Sequence, residues 1–244
     1  MIPLKDDNPI NSKPIVSYGI IGFCVLIFFA QLGLSENELR DFTYSYGLIP
    51  SVLMGIDQLP SDLFKISPIG TIFTSMFMHG GWMHLIGNML YLWIFADNIE
   101  DDLGILNFVI FYFVCGVGAA MSQVLMDINS QIPMIGASGA IGGVLGAYLI
   151  NYLNAKVLVL IPFGFFSQLI KIRALYVLGF WFILQFINSL MSSSSGGGVA
   201  YAAHIGGFIS GVILILFFNK KTGKKNYKKI VKKVNKNRKG PWEQ

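Results

Sequence analysis

The stretch "GASGAIGGVLGAY", Gly136 to Tyr148, sets a serine among glycines and alanines at the head of an apolar run. Two readings compete for it. Small residues repeated every four positions let helix backbones approach closely inside a bilayer. A hydroxyl at the same place is also a candidate nucleophile. What decides between them is what else the chain brings to the same depth.

The 244 residues are 54% hydrophobic and only 13% charged, about half the charged share of a soluble domain. Mean hydropathy is +0.60. Long apolar runs broken by short polar links indicate an all-α membrane protein folded as one helical bundle. Six spans are expected, at about 15–34, 82–97, 105–126, 137–154, 174–191 and 201–218. The first is too long for a signal-peptide core and lacks a convincing cleavage site. Two further apolar stretches, Ile66 to Met78 and Val157 to Ile170, fall outside the count and read as interfacial or re-entrant; Pro162 and Gly164 break the second. Cys24 and Cys115 both fall in expected spans and read as small apolar packers rather than a disulfide.

Charge sets the orientation. Eleven of the 18 Lys and Arg residues lie between Lys220 and Lys239. With the N-terminus inside, the inner segments also hold Lys5, Lys13, Lys156, Lys171 and Arg173, and the outer ones only Arg40 and Lys65. Both termini are therefore expected in the cytoplasm. That divides the chain into a cytoplasmic segment 1–14, a six-span domain 15–218 and a basic cytoplasmic tail 219–244. The link between spans two and three, with Asp97, Glu100, Asp101 and Asp102, falls inside despite its acidity, since acidic residues contribute little to this rule. In the tail, Tyr227, Ile230, Val231 and Val234 recur at helical spacing among lysines, as in a helix lying on an anionic lipid surface. No aromatic platform or motif supports nucleic-acid binding.

In this topology spans two, four and six run from outside to inside. At 1.5 Å per residue, Ser138, His204 and His84 each lie roughly 20 Å above the inner boundary, within a hydrocarbon core about 30 Å thick. Polar residues at such depth are costly and usually functional or paired. His84 and Asn88, four apart, share a face that must look into the bundle; an interhelical hydrogen-bond clip is the plainer account of them. Ser138, Gly142 and Gly146 form one stripe on span four, and Ala200, Ala203, Gly207 and Gly211 surround His204 on span six. Such stripes let the helices approach until imidazole and hydroxyl meet at about 3 Å, as proton transfer requires. None of the 13 acidic residues falls in span four or six, so a Ser–His dyad is the economical reading. Backbone N–H groups at the start of span four, with Asn88 and His84, are the candidate anion stabilisers. No cofactor or metal is implied, because three histidines and two scattered cysteines form no ligand cluster.

With these segments in hand, the chain resembles the rhomboid intramembrane serine proteases of the basic six-span bacterial type. The resemblance rests on "IPLKDDNP" near the N-terminus, "SMFMHGGWMHLIGNMLYLWIFADNIED" in span two, "GASGAIGGVLGAY" in span four, "WFILQ" in span five and "AHIGGFISG" in span six. It implies a six-span bundle in a bacterial plasma membrane whose substrates are transmembrane segments of other proteins and whose site lies toward the outer side. It places Ser138 as nucleophile, His204 as general base, His84 and Asn88 beside the oxyanion, and Gly136 close to the active site. It makes His79 structural, the link between spans one and two a membrane-dipping loop, Trp181 and Gln185 part of a lateral gate, and "SSSSGGG" of 192–198 a cap. Two positions depart from the pattern. Gly142 stands where many relatives stack an aromatic on the histidine, and Ala96 where relatives often have glycine. A non-catalytic relative and a small transporter are the rival readings. Natural substrate, cleavage motif and oligomeric state are not set by the sequence.

Overall fold

The structure, a computed structural model, describes residues 1–163, 166–191 and 199–222. The 192–198 segment and the tail beyond 222, with its expected amphipathic helix, lie outside the described residues. The element order is β1 (Ile2–Asp6), α1 (Ile15–Leu32), α2 (Glu36–Tyr46), α3 (Pro50–Leu53), α4 (Pro68–Thr74), a 3-10 turn at Ser75–Phe77, α5 (Trp82–Leu103), α6 (Ile105–Met126), α7 (Ser138–Tyr152), β2 (Lys156–Phe163), β3 (Phe166–Arg173), α8 (Ala174–Met191) and α9 (Tyr201–Thr222). The protein is mostly helical and integral to the membrane. Among the described residues, four helices are long and apolar enough to cross a bilayer: α1, α6, α8 and Tyr201–Lys220 of α9. A shorter apolar helical segment occupies Pro68–Phe77. Helix α7 has 15 residues, about 22 Å at 1.5 Å each, and α5 mixes His84, Asn88 and an acidic end into its 22 residues.

The all-α expectation needs correction. Residues read as interfacial or re-entrant form an antiparallel hairpin, β2 on β3, and β1 from the N-terminal segment completes a three-stranded sheet in the order β1-β2-β3. The cause is visible in "KVLVLIPF", where Val157 and Val159 alternate into the core while their neighbours stay partly exposed, the period-2 pattern of a half-buried strand. Pro162, taken there as a helix breaker, pairs with Ser167 near the end of this hairpin, and Gly164 lies outside the described residues.

A second correction concerns the acidic link between spans two and three. It is helical: α5 runs to Leu103, and Gly104 alone joins it to α6. Gly104 has φ +75°, a conformation glycine adopts without steric cost. Two of the carboxylates put there, Glu100 and Asp101, serve the neighbouring N-terminal segment. Buried Glu100 accepts hydrogen bonds from the backbone N–H groups of Val16 and Ser17, each at 2.8 Å, and from the Ser17 hydroxyl at 2.7 Å. These are unpaired donors at the start of α1, where the helix dipole favours an anion. Asp101 accepts from the backbone N–H groups of Asn11 and Ser12 in the same way.

Helix α7 forms the axis of the bundle. Every residue from Gly139 to Tyr148 is buried, as expected of a helix apolar on all sides. It is wrapped by α5, α6 and α9. Its far end is pinned by polar contacts: the Tyr148 hydroxyl donates to Asp6 at 2.5 Å, Asn8 donates to both, and Asn151 donates to Asp102 at 2.8 Å. The sheet and these contacts define one end of the bundle. Ser138 lies at the other.

Candidate active site

Ser138 is the first residue of α7. The chain reaches it through an antiparallel bridge between Met134 and Leu48. It then passes Gly136, whose N–H donates to the Ser75 carbonyl at 2.8 Å. Gly136 has φ +125°, and a Cβ there would lie 2.6 Å from His84 Nε2. The position therefore requires glycine for its backbone angle and for the imidazole stacked over it. Starting a helix at Ser138 leaves nearby N–H groups without intrahelical partners.

His204 sits in the first turn of α9, and its Nε2 lies 2.7 Å from Ser138 Oγ. Backbone contact between α7 and α9 makes this possible. A Cβ on Gly207 would overlap the Gly139 carbonyl, and one on Gly211 the Gly143 carbonyl. A Cβ on Gly142 would lie 2.9 Å from the carbonyl oxygen of His204 itself. At this spacing no side chain fits at position 142, so an aromatic ring there is excluded by the close approach of α9.

The orienting groups come from α8 instead. Gln185 Oε1 lies 2.7 Å from His204 Nδ1, while Gln185 Nε2 donates to the Trp181 carbonyl at 3.4 Å. With the amide nitrogen turned to that carbonyl, the amide oxygen is assigned to the ring. A carbonyl oxygen only accepts, so Nδ1 carries the proton and Nε2 presents a lone pair to the serine hydroxyl. The Trp181 ring lies beside the imidazole, with centroids 5.8 Å apart and planes at 31°. Tyr201 meets it edge-on at 6.3 Å. Sequence reasoning assigned Gln185 and Trp181 to a gate and missed this contact. The available signal was an amide in an apolar helix, which needs a partner.

On the opposite side, α5 supplies His84 and Asn88. His84 Nδ1 accepts from the Gly80 N–H at 3.3 Å. Its Nε2 is then the protonated nitrogen, directed at Gly136 beside Ser138. Asn88 is 8% exposed, and its Nδ2 is buried with no hydrogen-bond partner among the described residues. A buried unpaired donor is costly, and here it borders a cavity of about 1370 Å³ that also touches His84, Gly136, Ser138, Trp181 and His204. His79 is held from α1: Gln31 donates to its carbonyl at 3.3 Å and accepts from its N–H at 3.2 Å. The His79 ring packs edge-on against His84 at 5.1 Å. Among the described residues no three His, Cys, Asp or Glu side chains are gathered to hold a metal ion. The arrangement comprises a hydroxyl, a base whose free lone pair faces it, and unengaged donors across a cavity. These are the parts of acyl transfer.

The family described as Rhomboid domain matches residues 68–221. "Rhomboid protein 1, mitochondrial" of Saccharomyces cerevisiae is 29% identical over 175 residues, covering 68% of this chain and 45% of that protein. "Rhomboid protease GluP" of Bacillus subtilis is 27% identical over 201 residues, covering 82% of this chain and 34% of its own length. "Rhomboid protease AarA" of Providencia stuartii is 30% identical over 157 residues, covering 59% and 54%. The chain thus spans between about a third and half of the length of these curated relatives.

Proposed function

The chain belongs to the rhomboid family, and on that premise we propose that it is a serine endopeptidase that cuts transmembrane segments of other membrane proteins. Ser138 is the nucleophile and His204 the base. The Ser138 proton passes to His204 Nε2 as Oγ attacks the scissile carbonyl. His84 Nε2–H, the unpaired Asn88 amide and N–H groups at the start of α7 stabilise the resulting oxyanion. As the C–N bond breaks, His204 returns the proton to the leaving amine. Water then attacks the acyl ester, giving its proton to His204, and Oγ departs as the hydroxyl while the product leaves as a carboxylic acid.

The observation that carries this reading is the 2.7 Å contact of His204 Nε2 with Ser138 Oγ, made while Nδ1 is held by Gln185. In the same reading α5 and α7 complete six crossings, and residues 15–218 are the catalytic domain. Segments 1–14 and 219–244 face the cytoplasm of a bacterial cell, and the site opens toward the outer side of the plasma membrane. Support for that orientation is the concentration of basic residues at the sheet end and in the tail.

The test is cleavage of a model transmembrane substrate in detergent. Wild type should cut it, and Ser138→Ala and His204→Ala should not. A fluorophosphonate should label wild type and not Ser138→Ala. Cleavage that persists in both variants would remove the assignment of nucleophile and base.

A further inference from the structure

The cavity above Ser138 contains one carboxylate among its described lining residues, Asp127, at the C-terminal end of α6. Its Oδ1 accepts from the Asn129 N–H at 3.2 Å. Among the described residues no basic side chain pairs with it; the ion pair formed there is Arg40 with Asp41. Asp127 is part of a wider asymmetry. The segments joining helices at the Ser138 end, 33–81 and 127–137, hold six carboxylates against Arg40 and Lys65, a net of −4 on a chain of net +5. A cleft bordered by one sign of charge, with low-dielectric walls, concentrates ligands of the other sign.

The depth of Asp127 can be read from the helix that carries it. A Cβ on Gly139, next to Ser138, would lie 2.6 Å from the Ala119 side chain, so Ala119 marks the level of the nucleophile on α6. Asp127 lies eight residues further toward the cavity mouth, about 12 Å along the helix axis. A substrate unwound into extended chain covers about 3.3 Å per residue, so 12 Å corresponds to about three to four residues.

We propose that Asp127 selects substrates carrying lysine or arginine about three to four residues from the cleaved bond, on the flank that leaves the cavity. The proposal rests on the endopeptidase reading and adds a substrate class to it. Asp127 acts here as a specificity residue, with no part in the bond-making steps. Partial exposure limits the gain to that of a solvated ion pair.

Matched transmembrane substrates with Lys, Gln or Glu at the third or fourth position on either flank provide the test, in neutral detergent at low salt. Wild type should favour Lys over Gln by about three- to fivefold in kcat/KM, on one flank only, and the preference should fade by 0.5 M salt. In Asp127→Asn the Lys and Gln substrates should be cut at equal rates, and Asp127→Lys should favour Glu. In parallel, binding of the same peptides to Ser138→Ala protein reads the preference without hydrolysis. Equal binding of Lys and Gln peptides there, or a Lys preference that survives Asp127→Asn, would overturn the proposal. Preferential binding with no cleavage by wild type would instead overturn the endopeptidase reading and leave the role of Asp127 standing.

Discussion

Replacing Gly207 by alanine tests whether helix spacing sets the chemistry. Its Cβ would lie 2.9 Å from the carbonyl carbon of Gly139, with the oxygen closer still, where ordinary contact begins at 3.4 Å. The carbon alone demands about 0.5 Å of separation, and the oxygen raises that to about 1 Å. Gly139 adjoins Ser138, and Gly207 lies one turn beyond His204, so the displacement falls on the contact between Ser138 and His204. A bond of 2.7 Å would open to about 3.5 Å, beyond hydrogen-bonding range. A misplacement of that size costs about 100-fold in rate. Overpacking also lowers stability by about 1–3 kcal/mol, so kcat on the model substrate should be measured beside the thermal midpoint and fluorophosphonate labelling. Gly179→Ala is the control, since a Cβ there meets nothing within 4 Å, and its activity should match wild type. Activity of Gly207→Ala within threefold of wild type, at an unchanged midpoint, would refute the link from backbone spacing to catalysis.

Gln185→Ala should lower kcat about tenfold with little change in KM, because the tautomer of His204 is no longer imposed; Gln185→Glu should recover most of the loss, since a carboxylate accepts the same Nδ1–H. Glu100→Ala leaves the buried N–H and hydroxyl of Ser17 and the half-buried N–H of Val16 unpaired, and should cost about 2–3 kcal/mol, read as a drop in thermal midpoint with the Ser138 label retained below it. The carboxyl of Asp6 is raised above its ordinary 3.8 by burial, with hydrogen bonds from Tyr148 and Asn8 offsetting part of the shift. A raised carboxyl stabilises the fold fully below pH 3.8, and that contribution drains away as pH rises through the folded value. The midpoint of wild type should therefore fall relative to that of Asp6→Asn as pH climbs above 3.8; parallel curves would contradict this.

The parts of the fold that were legible in sequence share one cause. A membrane helix announces itself by length and composition, and Ile105–Met126 and Ala174–Met191 have the limits their apolar runs suggest. Ser138, His204 and His84 stood out because a polar group in hydrocarbon must be accounted for. What escaped depends on partners distant in the chain. The strands of 156–173 are short apolar segments whose period is ambiguous, and their partner Ile2–Asp6 lies about 150 residues away. Gln185 was visible as an anomaly, but its pairing with His204 is set by how α8 leans on α9. The acidic run after Ala96 reads as the link between spans two and three, whereas it continues α5 to Leu103. Glu100 caps the start of α1 and Asp101 holds residues 11 and 12 before it, contacts that belong to another segment. Gly142 reads as a departure from an aromatic, whereas in the structure the backbone of α9 lies too close for a side chain there.

Helix α8 buries Ala174, Val177 and Leu178, all in its first turn and a half. Gln185 lies eleven residues from Ala174, about 16 Å along the axis. A rod anchored at its foot magnifies small rotations, and a tilt of about 3–4° moves that amide by about 1 Å. The imidazole thus registers the lean of a helix on the rim of the bundle. A displacement of that size would open the 2.7 Å contact of Gln185 with His204 beyond hydrogen-bonding range.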